Sequence, residues 1–200
     1  MKEKEDYIKD IAEMRSIMER STKFLSLSGV AVVLIGVYAL AAVYIAYQVI
    51  GYDTREVSSP DMINKLLGFG GILMFVSVIT VIFLSHQKAT RQNEKLWNPT
   101  FRRLLVHASV PLLAGGILIL IFVAKDLSPF ILPLSLVFYG LMLYTAGKFT
   151  FPECQRIGLV EIALGLFSAY FTNYAMGSWA IGFGLVHIGL GLYLYFRYER

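Results

Sequence analysis

Residues 162–196 read IALGLFSAYFTNYAMGSWAIGFGLVHIGLGLYLYF, 35 positions without one Asp, Glu, Lys or Arg. A single helix of that length would reach about 52 Å at 1.5 Å per residue. The hydrocarbon core of a bilayer is only about 30 Å thick. The run must therefore turn back on itself. Asn173–Ser178, with its Asn, Gly and Ser, is the turn-like stretch. One apolar run thus yields two helices.

The same arithmetic, carried outward, yields four more. Lys23 and Asp53 are separated by 29 uncharged residues, and Lys65 and His86 by 20. Leu104–Ala124 and Leu127–Gly147 are 21 residues each, and His107 alone interrupts the first. Each run meets the length of about 20 apolar residues that a spanning helix needs. Pro60, Pro99, Pro129 and Pro152 stand just ahead of apolar runs, at the first helical position where a missing N–H costs nothing. Ser59, Asn98 and Ser128 precede three of them as N-caps. The expectation is an all-α polytopic membrane protein: a cytoplasmic amphipathic helix over 1–23, then six transmembrane helices as three hairpins. Their expected spans are 24–50, 61–85, 100–124, 129–148, 153–173 and 178–197.

Composition agrees. The chain is 56% hydrophobic and 16% charged, against about 25% charged in soluble domains. Such a chain is not disordered, and a single cysteine makes no disulfide scaffold. The net charge of +4 is a partition rather than a basic surface for nucleic acid. Of the 18 Lys and Arg, fifteen fall on one side of the six-span arrangement and three (Arg55, Lys65, Lys125) on the other. The positive-inside rule then places both termini in the cytoplasm of a bacterial inner membrane. No secretory signal is expected, because the arm is long and of mixed charge and the apolar run after it is too long. Cys154 falls on the reducing side.

An internal repeat is also legible. A shift of 49 residues lays the third and fourth helices over the fifth and sixth without a gap. Gly116 meets Gly165, Gly140 meets Gly189, Leu141 meets Leu190, and Tyr144 meets Tyr193. Parallel hairpin repeats about an axis along the membrane normal are one reading. Biased composition is the other. Gly165-x-x-x-Ala169 and Ala42-x-x-x-Ala46 are small-residue pairs that let helices approach closely.

In the arm, Tyr7, Ile11, Met14 and Met18 follow helical spacing and form one apolar stripe. Six acidic and six basic residues make up its polar face. Lipid-surface helices are instead rich in Lys and Arg. Three roles stay open for the stripe: a homodimer through the arm, docking on the same chain, or lipid-surface binding.

Ionisable groups inside spans are functional candidates, since each costs roughly 2.5–3.5 kcal/mol to insert at mid-helix. Glu161 lies about eight residues into the fifth helix and His187 about ten from the end of the sixth, so both sit roughly 12–15 Å deep. They form the expected intramembrane pair, facing a polar pocket open to the cytoplasm. His107, Lys148, Tyr139, Tyr144 and Tyr193 are secondary pocket candidates. For His107 and Lys148 the alternatives are an interfacial histidine and a snorkelling lysine. No metal site is expected, because His107, Glu161 and His187 lack ligand spacing. No cofactor is implied. The chain has no His-Glu-x-x-His helix, Gly-x-Ser-x-Gly elbow or Walker loop, so no catalytic residue is proposed. Trp97, Trp179, Tyr47, Tyr52, Tyr174 and Tyr198 read as interfacial anchors.

Residues 14–30 (MRSIMERSTKFLSLSGV), with IGLVEIALGLFSAYF (157–171) and WAIGFGLVHIGLG (179–191), resemble an uncharacterised family of bacterial six-helix inner-membrane proteins. The repeated glycine-rich hairpins also look like those of the HdeD-like acid-resistance membrane proteins. The first resemblance implies the six-helix topology and brings no site residues. The second implies three hairpins and a stress-related role. Two function classes follow. One is a non-catalytic membrane partner or stress-related component. The other is a small transporter or sensor using Glu161 and His187.

Overall fold

A computed structural model describes residues 27–52, 60–91 and 97–200. The arm positions Tyr7, Ile11, Met14 and Met18, and the expected cap Ser59, lie outside the described residues. Among the described residues the chain is helical, with no strand. The helices among these residues are α1 (Gly29–Ile45, continued by a π-helical turn Ala46–Ile50), α2 (Pro60–Arg91), α3 (Pro99–Ala124), α4 (Ile131–Ala146), α5 (Pro152–Tyr170) and α6. The last is continuous through Ala175–Trp179, a π-helical segment Ala180–Val186, and His187–Tyr198.

Local chemistry sets the starts. The Ser28 hydroxyl accepts from the Ala31 amide at 3.5 Å at the head of α1. Asn98 Oδ1 accepts from the Phe101 amide at 2.8 Å at the head of α3. Pro152 opens α5. Ser128 and Pro129 instead form a 3₁₀ turn, Ser128–Phe130, ahead of α4. Two other ends differ from the sequence expectation. α2 runs to Arg91 rather than 85, because charge ends an apolar run without ending a helix. α6 begins at Ala175, so Gly177 and Ser178 are helical and the turn is at Phe171–Tyr174.

Among the described residues, five stretches are long and apolar enough to cross a membrane: Gly29–Ile50, Asp61–Arg91, Pro99–Ala124, Ser128–Ala146 and Thr172–Tyr198. The remaining helix, α5, carries Glu153, Arg156 and Glu161. Its inner face is regular. Its buried residues Cys154, Gly158, Glu161, Gly165 and Ser168 repeat at spacings of 4, 3, 4 and 3, the stripe of a helix packed along its length.

Two helix pairs pack most extensively, α4 with α5 and α1 with α6. α5 therefore leans on α4 more than on α6, its expected hairpin partner. Both seams are made by glycine. A Cβ on Gly158 would lie 2.6 Å from Gly140 O and from Tyr144 N, and one on Gly29 would lie 2.7 Å from Gly191 O and from Tyr195 N. One on Gly165 would meet Pro133 O and Val137 N, and one on Gly36 would meet Gly184 O and Ile188 N. The register is the same in both seams. Gly158 and Gly165 on α5 are 129 positions beyond Gly29 and Gly36 on α1. Gly191, Tyr195, Gly184 and Ile188 on α6 are each 51 positions beyond Gly140, Tyr144, Pro133 and Val137 on α4.

This corrects the uniform shift of 49. The packing counterpart of Gly140 is Gly191, while Gly189 meets nothing within 4 Å. Two residues rotate a helical position by about 200°, onto the opposite face. The distance from Gly116 to Pro133 is two residues shorter than that from Gly165 to Gly184. A two-residue insertion between the helices of the last hairpin thus separates the two shifts.

At the end where α1 begins and α2 and α6 finish, a second polar cluster closes the bundle. Lys88 Nζ donates to Leu27 O at 2.8 Å and pairs with Glu199 Oε1 at 3.1 Å. Glu199 Oε1 also accepts from the Gly29 amide, one of the unpaired donors of α1's first turn. Phe151 lies under this clasp, with Lys88 Nζ 5.8 Å from its ring centroid. Of the expected anchors, Trp97 and Tyr174 are exposed, whereas Tyr52 is buried and packs edge-on to Tyr47.

Candidate functional site

Glu161 reaches its position as part of the α5 stripe, between Gly158 and Gly165. The glycines bring α4 close and leave the carboxyl on the face that also meets α6. His187 follows the π-helical segment of α6. Single-turn π segments widen a helix and release carbonyls from the ordinary ladder. Here His187 Nδ1 donates to the carbonyl of Gly182, five residues back, at 2.9 Å. A carbonyl only accepts, so Nδ1 carries the proton, and in the neutral ring Nε2 accepts from a donor. Tyr139 on α4 supplies that donor, its hydroxyl 2.8 Å from Nε2.

The pair thereby becomes a cluster from three helices. Glu161 Oε1 is 3.5 Å from His187 Nδ1. Among the described residues, neither Glu161 oxygen has a hydrogen-bond partner. Glu161 is 0% exposed and His187 1%. The expected opening to the cytoplasm is therefore closed around both side chains. Gly182 is part of the reason the carboxyl fits: a Cβ there would collide with Glu161 Oε2 and meet Leu136 Cδ2 at 2.7 Å. Aromatic rings cover the other side. Phe183 stacks on His187 with centroids 5.8 Å apart and leans on Tyr139 at 4.7 Å, and Trp179 packs behind Phe183 at 4.8 Å. Trp179, Phe183 and His187 recur every four residues on one face of α6.

The secondary candidates divide. Tyr139 joins the cluster. Tyr144 and Tyr193 are exposed. Lys148 is exposed, with its ammonium 5.8 Å from the Tyr144 ring centroid. His107 is exposed, bonds back to Arg103 O at 2.8 Å and packs on Phe149. None of these four reaches Glu161. Among the described residues no three His, Cys, Asp or Glu side chains come together as metal ligands.

In the sequence Gly182 reads as one of the packing glycines of the sixth helix, because a glycine inside an apolar run does not reveal which atom occupies the space. The Lys88–Glu199 clasp was passed over, since both residues read as loop charge. The signal available for it was the helical periodicity that continues from Leu84 through Lys88 to Arg91. No family model, curated protein or solved structure matches the chain.

Proposed function

We propose that this chain is a non-catalytic integral membrane protein of the bacterial inner membrane. Its six helices cross the bilayer as three hairpins, with both termini in the cytoplasm. It serves as a membrane partner or stress-related component, and the amphipathic arm is its contact. The five apolar helices and the charge partition support the membrane placement. The resemblances described above support the stress-related role.

One observation carries the choice against transport: the only deep ionisable pair among the described residues is sealed within the fold. His187 is occupied on both nitrogens by Tyr139 and Gly182, and Glu161 is covered by Leu136 and Gly182. In this reading the cluster braces α4, α5 and α6 and no solute reaches it. A second reading, a proton-linked sensor or transporter, draws on the two Glu161 oxygens that lack hydrogen-bond partners.

The deciding experiment compares wild type with the Glu161→Leu, His187→Leu, Tyr139→Phe triple variant in liposomes under an imposed pH gradient. The structural reading expects no protein-dependent proton movement from either. Proton flux in wild type that disappears in a folded triple variant would sink it and install the second reading. The arm's role is checked by deleting residues 1–20 and comparing partner and oligomer size in detergent. Unchanged size and retained partners would remove the arm as the contact.

A further inference from the structure

The seams follow a rule that the chain completes only twice. Outgoing α4 packs on incoming α5, and outgoing α6 packs on incoming α1 in the same register. One more step of the same relation would place outgoing α2 against incoming α3. Among the described residues α2 and α3 share at most marginal contact.

Each carries half of a seam nonetheless. On α3, Ser109 and Gly116 stand 49 positions before Gly158 and Gly165, the seam pair of α5. Gly115 faces α4, where a Cβ would meet Phe138 at 2.5 Å. Gly116 is exposed and has nothing within 4 Å. A glycine in a helix interior gives up about 1 kcal/mol of propensity relative to alanine. At the two closed seams close helix approach offsets that loss. At Gly116 nothing within the chain does.

On α2, the bond from the Ser28 amide to Ser85 Oγ at 3.4 Å fixes Ser85 level with the start of α1. Around that level Ile79, Ile82, Phe83 and His86 line an open groove of about 330 Å³. The groove therefore sits at the depth of the Gly29–Gly36 seam. By the repeat this is also the depth of Ser109–Gly116.

We infer that the α2 groove and the Ser109–Gly116 face of α3 are the two halves of an interface between two copies of this chain. α2 of one protomer lies antiparallel against α3 of its partner, and the reverse contact forms at the same time. Such an arrangement is isologous and closes on itself. It continues the interface that the chain already builds twice internally, with helices it does not otherwise pair. It does not use the arm.

The test uses the full chain in lipid nanodiscs, in a Cys154→Ala background. Gly116→Cys is combined in turn with Val76→Cys, Ile79→Cys and Phe83→Cys, and the samples are oxidised. The expected result is a dimer-sized band on a non-reducing gel, with mass spectrometry joining an α2 peptide to an α3 peptide. Without cysteines, native mass spectrometry should count two copies per particle. Gly116→Leu should lower that dimer fraction at least tenfold, while Val110→Leu and deletion of residues 1–20 leave it unchanged. A monomer-sized disulfide product would show that α2 and α3 close within one chain. Free thiols in every pair would show that lipid alone covers these faces. Either result overturns the proposal.

Discussion

The α4–α5 and α6–α1 seams have the same backbone and different contents. At the position where α5 carries Glu161, α1 carries Val32, 129 residues earlier. At the position where α6 carries His187, α4 carries Leu136, 51 residues earlier. Val32 and Leu136 are buried as fully as their polar counterparts, at 5% and 0% exposure. A seam of this kind therefore needs small residues for close approach and any well-fitting side chain beside them. It does not need charge. Glu161 lies in the α4–α5 seam and His187 is carried by α6, a helix of the other, so their contact links the two.

The largest expected effect comes from breaking the tie on one side. His187→Leu makes α6 resemble α4 at this position, takes away the imidazole 3.5 Å from the buried Glu161 carboxyl, and strands the Tyr139 hydroxyl and the Gly182 carbonyl. Removing one partner of a buried pair costs about 3–5 kcal/mol. Thermal melting in detergent should show a large fall in Tm, and an unchanged Tm would mean that Glu161 does not depend on the imidazole. Making both seams apolar should reverse the sign. In the Glu161→Leu, His187→Leu, Tyr139→Phe variant the carboxyl, imidazole and hydroxyl leave together, and only the Gly182 carbonyl loses a side-chain donor. Replacing a buried pair by apolar residues is commonly neutral, or stabilising by about 1–4 kcal/mol. A triple variant less stable than His187→Leu alone would refute the equivalence with Val32 and Leu136.

Next come the glycines that the seams share. Gly29→Ala and Gly158→Ala each place a methyl against partner backbone, and overpacking of this kind costs about 1–3 kcal/mol. Equal losses at the two sites sharpen the repeat, and a loss at only one breaks it. Gly189→Ala, two positions from the seam and free of neighbours, should instead gain up to about 1 kcal/mol from helix propensity. The smallest expected change is at the clasp. Glu199→Gln keeps the shape and removes the charge facing Lys88 and the α1 amide. With both side chains partly exposed, the loss should be about 1 kcal/mol, and smaller in high salt. A loss that does not respond to salt would show that packing on Phe151, and not charge, holds that end.

Much of this is legible in the sequence. The helical class and the approximate spans follow from apolar run length, because a membrane-length helix must satisfy its backbone internally and carry few charges. Asn98 as a cap followed from side-chain chemistry next to a proline. That Glu161 and His187 fall at the same level of their two helices followed from the rise per residue. Even the α5 stripe is visible in sequence, since Gly158, Glu161 and Gly165 keep the spacing of one helix face. The repeat was only half legible, because an ungapped shift cannot see a two-residue insertion in a turn.

What stayed hidden is of one kind. The sequence by itself determined that the described chain is helical, roughly where its apolar helices run and which of their residues are costly to bury, because those are properties of a single helix against its solvent. Which helices meet, and in what register, depends on pairs of surfaces far apart in the chain. Only the tertiary structure decided that α5 leans on α4, that α6 closes on α1, and that Tyr139 rather than Tyr144 or Tyr193 completes the cluster. It also decided that Gly182 is absent a side chain so that the Glu161 carboxyl has room. Glycine reports where close approach is permitted, and only the fold shows what approaches.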